Sequence, residues 1–335
     1  MNNKMEFADV VYGLAWGDEG KGKVVGALAH KYDFVCRWNG GPNAGHTVWV
    51  NGKQYKTHLI PSGVFAGKVS VIGAGCVINP QKFLAELEML KSAGFDPSLV
   101  KVSPAAHIIT DAHIKWDGEN LSHLGTTKQG IAPCYSDKML RLGKRVADTN
   151  HIPDENIWDG KLSGKVLCEG AQSVWLDIDH GYYPFVTSST TMPYGACSLG
   201  FSPRKIRRLI GVAKIYDTKS GTDPLFPDSL REDSILNGII EEGKEFGTTT
   251  GRRRFVNWLN LDRLKDAIAI SGCTELIVNK CDILEKVGVF KLINDGGIVQ
   301  FNSLQEMKAF IVNEFVNGEF NELHDIKWSD SPETI

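Results

Sequence analysis

The chain has 335 residues, 42% hydrophobic and 23% charged, with a formal net charge of −3. This is enough for a full core, and the near-neutral balance excludes a sequence-wide attraction to nucleic acid or to an anionic membrane, so small anionic ligands need local basic clusters. Seven scattered cysteines with no C-x-x-C pair exclude a disulfide framework and a zinc site and predict reduced thiols in the cytoplasm. The N-terminus has no secretory apolar region, and no stretch has the length and apolarity of a membrane span.

Apolar runs at 9–12, 34–37, 69–72, 100–102, 166–168, 209–215 and 275–278 read as buried strands with helical patterns between several of them. That alternation predicts an α/β fold, a single domain with a mainly parallel sheet and ligand loops at the carboxyl ends of its strands. The first run leads into Trp16-Gly17-Asp18-Glu19-Gly20-Lys21-Gly22-Lys23 and then a helical pattern over 24–32. Gly17 to Lys23 fits seven positions of the P-loop pattern, whose backbone N–H groups face a phosphate. The eighth is Val24, so the hydroxyl that normally helps to hold magnesium is missing and Asp18 is the substitute ligand.

Just beyond 34–37, Gly40-Gly41-Pro42-Asn43-Ala44-Gly45-His46-Thr47 is a second glycine-rich turn. His46 can hydrogen-bond a developing oxyanion, and the Gly45 carbonyl suits a hard cation. Asn79-Pro80 starts a helix that Gly94 stops, and Ser303 with Glu306 forms a capping-box pattern for a later one. Gly125 to Gly130 offers hydroxyls and amides to a phosphate, followed by a charged stretch ending in Arg141. Asp177, Asp179 and His180 read as an irregular polar stretch rather than a metal cluster, and the basic run 204–208 as a solvated surface. Thr248 to Arg254 combines hydroxyls and three arginines in a loop between helical segments, an anion-binding pattern. Asn279-Lys280-Cys281-Asp282 follows the last strand; its aspartate can accept from guanine N1–H and the 2-amino group while the lysine stem packs along the base.

Taken together, Trp16 to Lys23, Asn43 to Thr47, His58 to Gly63, Glu169-Gly170-Ala171-Gln172, Leu176 to Gly181, Tyr183-Pro184, Val186 to Ser189 and Thr249 to Arg254 resemble the adenylosuccinate synthetase family. Its members join L-aspartate to C6 of a purine nucleotide. The resemblance implies that a loop aspartate takes the purine N1 proton while a histidine stabilises charge on O6. O6 attacks the γ-phosphate of GTP, and the aspartate amine then displaces phosphate from the 6-phosphoryl intermediate. By resemblance Asp18 is the base, His46 the acid and Lys21 a phosphoryl contact; Asp18 and the Gly45 carbonyl hold Mg²⁺. Gly17, Glu19, Gly20, Gly22, Lys23, Thr47, Lys280, Asp282 and Ser331 match the GTP site, with ATP or dATP as other donors. Asn43, Thr127, Arg141, Gln172, Thr187 and Ser220 match the purine-nucleotide site, Arg141 reaching across a homodimer. Thr249, Thr250, Arg252 and Arg254 match the loop that takes the aspartate carboxylates.

Two segments depart from the family pattern. An arginine is lost where Lys128-Gln129 stands, and the segment lying against ribose and base becomes Lys219-Ser220-Gly221-Thr222-Asp223-Pro224-Leu225-Phe226-Pro227. The chain is also shorter than bacterial members, approaching the compact archaeal type, and it resembles a short viral branch that uses dGMP, many of whose members replace the loop aspartate kept here as Asp18. Because the changes fall in the nucleotide pocket, the expected purine is dGMP, with IMP as the alternative. A GTP-binding switch protein without ligase activity is the rival from another class.

Overall fold

The computed structural model describes residues 4–221, 223–247, 251–318, 320–331 and 335. Its centre is an eight-stranded sheet of strands β1 (Met5–Gly13), β2 (Phe34–Arg37), β3 (Val69–Ile72), β4 (Val100–Val102), β5 (Gly164–Ser173), β6 (Ile206–Lys214), β7 (Glu275–Asn279) and β8 (Asp325–Trp328). Their spatial order is β8-β7-β6-β1-β5-β2-β3-β4, and every neighbouring pair is parallel. Parallel strands covered on both faces read as unbroken apolar runs, which is why seven of the eight are visible in the sequence.

Side chains alternate across β1. Val11 packs with Val24, Val25 and Leu28 of helix α1 (Lys21–Leu28), whereas Val10 and Tyr12 face the cluster that holds Leu264 and Ile268 of the helix Leu261–Ser271. Each such burial contributes roughly 1.5–3 kcal/mol. The chain leaves β1, builds β2 to β4 on one side, returns to insert β5 beside β1, and then builds β6 to β8 on the other side. The loops at the carboxyl ends of β1, β5 and β6 therefore meet where the winding reverses, the usual position of a ligand in such sheets. A four-stranded sheet of Tyr216–Lys219, Phe255–Asn260, Phe290–Asn294 and Gly297–Phe301 flanks the main one.

Several expectations change in detail. Helix α1 begins at Lys21 and its last part, Ala29–Lys31, tightens into a 3-10 turn. The helix Pro80–Ser92 is capped as read, with the Asn79 side chain accepting from Lys82 N. At Ser303 the hydroxyl accepts from Glu306 N, but the Glu306 carboxylate reaches Asn302 N instead of closing the box on Ser303. Arg252 to Arg254 lead into a strand, Phe255–Asn260, so the arginines do not stand between two helices. The basic run is not a free solvated face: Arg207 and Arg208 open β6 and both pair with fully buried Asp9. No helix among the described residues is long and apolar enough to cross a membrane.

Candidate active site

The glycine loop after β1 is folded on its own carboxylate. Glu19, fully buried, accepts from Gly17 N at 2.8 Å and from Lys21 Nζ at 2.7 Å, and Lys21 also donates to Ser173 Oγ at 3.2 Å. Burial would raise the Glu19 carboxyl, but Lys21 and Ser173 outweigh it and hold it below its ordinary value. The loop can turn back this far because position 13 is glycine: a Cβ there would lie 2.6 Å from Glu19 Oε2. Lys21, expected at the phosphoryl group, stands in this structure as the counter-ion of Glu19.

The same loop is tied to the end of β7. Asn279 Nδ2 donates to the Glu19 carbonyl at 2.7 Å, and Lys23 Nζ donates to Asn279 Oδ1 at 3.1 Å, to Ser329 Oγ and to the Ser331 carbonyl. Burial brings the Lys23 ammonium down to about 8. Thus four expected GTP-site positions, Glu19, Lys23, Lys280 and Ser331, are gathered by strand order although Glu19 and Asn279 are 260 residues apart. Lys280 takes a left-handed turn and donates to the Gly243 carbonyl at 2.9 Å, and Asp282 sits in the first turn of the next helix, Cys281–Val287.

The second glycine turn delivers His46 onto α1. A Cβ at Gly22 would be 2.9 Å from His46 Cβ and 3.3 Å from Thr47 N, so only glycine in the helix admits this approach. His46 Nδ1 is hydrogen-bonded to Glu169, whose carboxylate also accepts from Ser62 N and Ser62 Oγ, each at 2.7 Å. Burial opposes the Glu169 charge, yet His46 and Ser62 keep its carboxyl below the ordinary range. Glu169 therefore holds the Nδ1 proton and leaves Nε2 as the ring nitrogen for exchange with a ligand. Asn43 Oδ1 closes the turn by accepting from Gly41 N.

Asp18 has a left-handed backbone, φ 63°, and a quarter of its side chain is exposed. Arg254 Nε lies 2.8 Å from Asp18 Oδ2, and Ser220 Oγ donates to the same oxygen at 3.3 Å. Arg252 donates to the Gly125 carbonyl at 3.3 Å. Gly221 also lies against this carbonyl, 3.2 Å from a Cβ built on it, so the altered 219–227 segment packs on the start of the loop that carries Lys128-Gln129. Gln172, also left-handed, keeps a buried side-chain oxygen that has no donor among the described residues, an acceptor that a ligand N–H would satisfy. Gln129 bonds Lys82 and donates to the Thr127 carbonyl, and Thr187 N donates to the Leu176 carbonyl. Arg141 ends a helix in the left-handed conformation, exposed beside Met139, Leu140 and Leu142. Thr249 and Thr250, with Thr222 of the altered segment, lie outside the described residues.

Asp177 is a loop organiser: it accepts from Asp179 N, His180 N, Thr190 Oγ1 and Thr191 N. No group of three or more acidic, histidine or cysteine side chains suited to a metal occurs among the described residues. One carboxylate and one carbonyl, Asp18 and Gly45, match a cation that completes its shell with phosphate oxygens and water, as Mg²⁺ does.

Sequence reading left Glu169, Glu245 and Lys214 without roles. Glu245 is fully buried, with Lys214 Nζ 2.9 Å from both of its oxygens, the Tyr216 hydroxyl at 2.7 Å and Arg254 Nη1 at 2.5 Å. Against the penalty of burial, Lys214 and Arg254 pull the Glu245 carboxyl down to about 2. A lysine ending an apolar strand run is the one local sign that such a partner exists.

The family model for adenylosuccinate synthetase matches residues 10–163 and 148–295. Adenylosuccinate synthetase of Bacteroides fragilis is 40% identical over 338 residues, covering 84% of this chain and 79% of that protein, and that of Geobacillus sp. (strain WCH70) is 37% identical over 340 residues with the same coverage. Among solved structures, fully ligated adenylosuccinate synthetase from Plasmodium falciparum superposes with a TM-score of 0.76 at 31% identity, covering 89% of this chain and 84% of that one. Succinoaminodeoxyadenylate synthetase of cyanophage S-2L, bound to dGMP and dATP, shares the fold with a TM-score of 0.68 at 19% identity over 92% of this chain and 99% of that one. A buried glycine loop, a carboxylate-anchored histidine and an arginine on the loop aspartate thus sit on a frame held in common with these ligases, and the chain belongs to the adenylosuccinate synthetase family.

Proposed function

We propose that this GTP-dependent C–N ligase joins L-aspartate to C6 of IMP. The observation that carries the reading is the contact of Arg254 with Asp18, which puts a carboxylate-binding guanidinium against the residue that would remove the N1 proton. Asp18 takes that proton and His46, its other nitrogen held by Glu169, donates toward O6, so O6 becomes nucleophilic enough to accept the γ-phosphoryl group. Asp18 and the Gly45 carbonyl would hold Mg²⁺, which supplies charge neutralisation at the phosphates. Arg252 and Arg254, with Thr249 and Thr250, receive the aspartate carboxylates, and the amine then displaces phosphate from C6. Lys280, Asp282 and Ser331 take the guanine end of GTP, while Asn43, Thr127, Gln172, Thr187 and Ser220 surround the purine nucleotide. Arg141 reaches the nucleotide of a second subunit, and the exposed Met139, Leu140 and Leu142 beside it are the apolar surface which that subunit covers. IMP leads because relatives at 37–40% identity are synthetases of adenylosuccinate, whose purine precursor is a 6-oxopurine ribonucleotide.

A second reading, dGMP as the purine, rests on the altered 219–227 segment, where Gly221 lies against the Gly125 carbonyl and Ser220 reaches Asp18. Guanine shares N1–H and O6 with hypoxanthine and adds a 2-amino group, so the same chemistry serves both. The test is phosphate release by purified protein with GTP, Mg²⁺ and L-aspartate, comparing IMP, GMP and dGMP. Aspartate-dependent release with IMP is the expected result. Turnover with dGMP well above IMP would replace IMP by the second reading, and release without aspartate or purine would point to a GTP-hydrolysing switch protein.

A further inference from the structure

Lys82 stands where a cation brings the fold little return. It lies in the first turn of the helix Pro80–Ser92, whose amino end the Asn79 side chain already caps, and a positive charge there works against the helix dipole. The side chain is half-buried, and burial lowers its ammonium from the ordinary lysine value. Glu86, one turn further on, is occupied elsewhere: it accepts from His58 N, Leu59 N and Ile60 N at 2.6, 3.1 and 3.0 Å and pairs with His58 Nδ1 at 3.3 Å. Lys82 forms no ion pair among the described residues, and its ammonium donates to a neutral amide oxygen, Oε1 of Gln129.

That amide belongs to the loop Gly125 to Gly130, whose hydroxyls and backbone amides suit a phosphate. Gln129 Nε2 donates to the Thr127 carbonyl at 3.1 Å, while Asp117 pins the loop on both sides of it, accepting from Thr126 Oγ1 and from Gly130 N at 2.8 Å each. The strand that leads to Lys82 and the helix that follows Gly130 both meet the second glycine turn. Val77 N donates to the Gly40 carbonyl at 3.0 Å, and a Cβ on Gly41 would lie 2.6 Å from Val77 O and 3.0 Å from Ile131 Cδ1. The turn with Asn43, the loop with Thr127 and the helix with Lys82 therefore form one wall. Gln129 also stands where the family pattern has arginine, so a neutral side chain holds that place and a lysine from another element rests on it. Lys128, the cation within the loop, is exposed on a left-handed backbone.

We propose that Lys82, held on Gln129, supplies the positive charge that meets the 5′-phosphate of the purine nucleotide, in place of the arginine that the family pattern has at 129. The proposal rests on the reading of Thr127 and Asn43 as purine-nucleotide ligands. A nucleoside monophosphate carries its charge on the phosphate, and hypoxanthine and guanine are neutral, so a cation in this wall is matched to that end of the substrate. Gln129 takes one ammonium proton and leaves the others for phosphate oxygens. Lysine acts as a point charge and not as a planar fork, so it attracts the phosphate without fixing its rotation, which Thr127 and Asn43 then set.

The experiment titrates IMP and dGMP calorimetrically into the wild type, Lys82→Met, Lys128→Met and the double variant Lys82→Met/Gln129→Arg, and measures KM for the purine that turns over, for GTP and for L-aspartate. Lys82→Met removes a charge that opposes its own helix, so it is expected to fold. Its Kd and KM for the purine nucleotide are expected to rise about tenfold or more, the loss of one charge-assisted contact, while KM for GTP and for L-aspartate stays within about twofold. Adding Gln129→Arg returns the charge to the family position and is expected to bring purine affinity to within about threefold of the wild type. Purine affinity that is unchanged in Lys82→Met, or lost in Lys128→Met instead, would overturn the proposal. A loss that Gln129→Arg does not restore would overturn it too, marking Lys82 as a support of the loop, as would a rise confined to the KM for L-aspartate. Absence of aspartate-dependent turnover with every purine nucleotide would overturn the ligase reading alone, because calorimetry still decides for Lys82. A wild type that binds neither nucleotide would overturn the reading of Thr127 and Asn43, and the proposal with it.

Discussion

Asp9 and Glu245 are two fully buried carboxylates solved in the same way, each with two basic side chains and a tyrosine hydroxyl. Asp9, near the amino end of the sheet, takes Arg207, Arg208 and Tyr32; Glu245, beside the carboxyl end of β6, takes Lys214, Arg254 and Tyr216. The difference lies in where the leftover nitrogens go. Arg208 ends on Glu275 and the Arg207 guanidinium stacks 3.6 Å from the Phe7 ring centre, so the first cluster closes on itself. Arg254 instead continues to Asp18 at the phosphate loop. A buried ion cluster is therefore structural or functional according to what its outermost member touches, and burial or pairing alone does not tell them apart.

That contrast breaks most sharply at Asp18. Replacing it with Asn keeps the shape and removes the proton acceptor, so kcat with all substrates present should fall by about 10³-fold. The melting temperature should change little, because Glu245 still holds Arg254. Steady-state turnover and thermal unfolding of one preparation check both halves. Asp9→Asn should do the reverse. It leaves two arginines facing a neutral group, and a loss of about 3 kcal/mol in folding stability is expected, moderated by their partial exposure. Urea unfolding measures that loss, and turnover per folded molecule should stay at the wild-type value.

Much of this was legible where the physics is local. Parallel strands announce themselves as apolar runs, and a phosphate loop needs its glycines within a few positions, so the site loops of β1 and β2 and their catalytic candidates stand out in the sequence. The edge strand β8 was not seen, because Asp325-Ile326-Lys327-Trp328 is short and half-exposed and carries no such run. The partners of the charged groups were illegible for another reason. His46 and Glu169 are 123 residues apart, and Asp9 and Arg208 are 199 apart; strand order alone brings them together. Asp9 between Ala8 and Val10, and Lys214 at the end of a buried strand, show that a charge must be answered. They do not show by which residue, which is how Arg207 and Arg208 came to be read as solvated surface.

Acid separates the second cluster from an uncharged replacement. The Glu245 carboxyl is lowered to about 2 in the folded protein, below its ordinary 4.5. A depressed carboxyl contributes stability that is fully present above the unfolded value and lost as pH falls through the folded one, here about 3 kcal/mol between pH 4.5 and 2. Stability measured from pH 6 downward should therefore fall less steeply in Glu245→Gln than in the wild type across that window. A steeper or equal fall would mean that Glu245 is not held ionised by Lys214 and Arg254.

The smallest expected effect concerns Asp217, whose carboxylate forms no ion pair among the described residues and accepts from Asn260 N at 2.8 Å. Burial raises its carboxyl from 3.8 to about 8. The sign is opposite to that of Glu245: the folded state binds the proton more tightly, so the penalty is absent below pH 3.8 and grows as pH rises toward 8. Asp217→Asn keeps an oxygen for Asn260 N and has no charge to bury, so it should be more stable than the wild type at pH 8.5 and nearly equal to it at pH 4. A cavity of about 10 Å³ bordered by Asp217, Trp16 and Arg263 has room for one water, and Lys214 lies near enough to offset part of the charge. Both reduce the gain to about 1 kcal/mol, well below what an unrelieved buried carboxylate would give. Thermal unfolding of the two proteins at pH 4, 6 and 8.5 is the measurement. A gain independent of pH would trace the effect to packing, and only a gain that grows with pH marks Asp217 as a buried carboxylate left without the kind of cation that Asp9 and Glu245 both have.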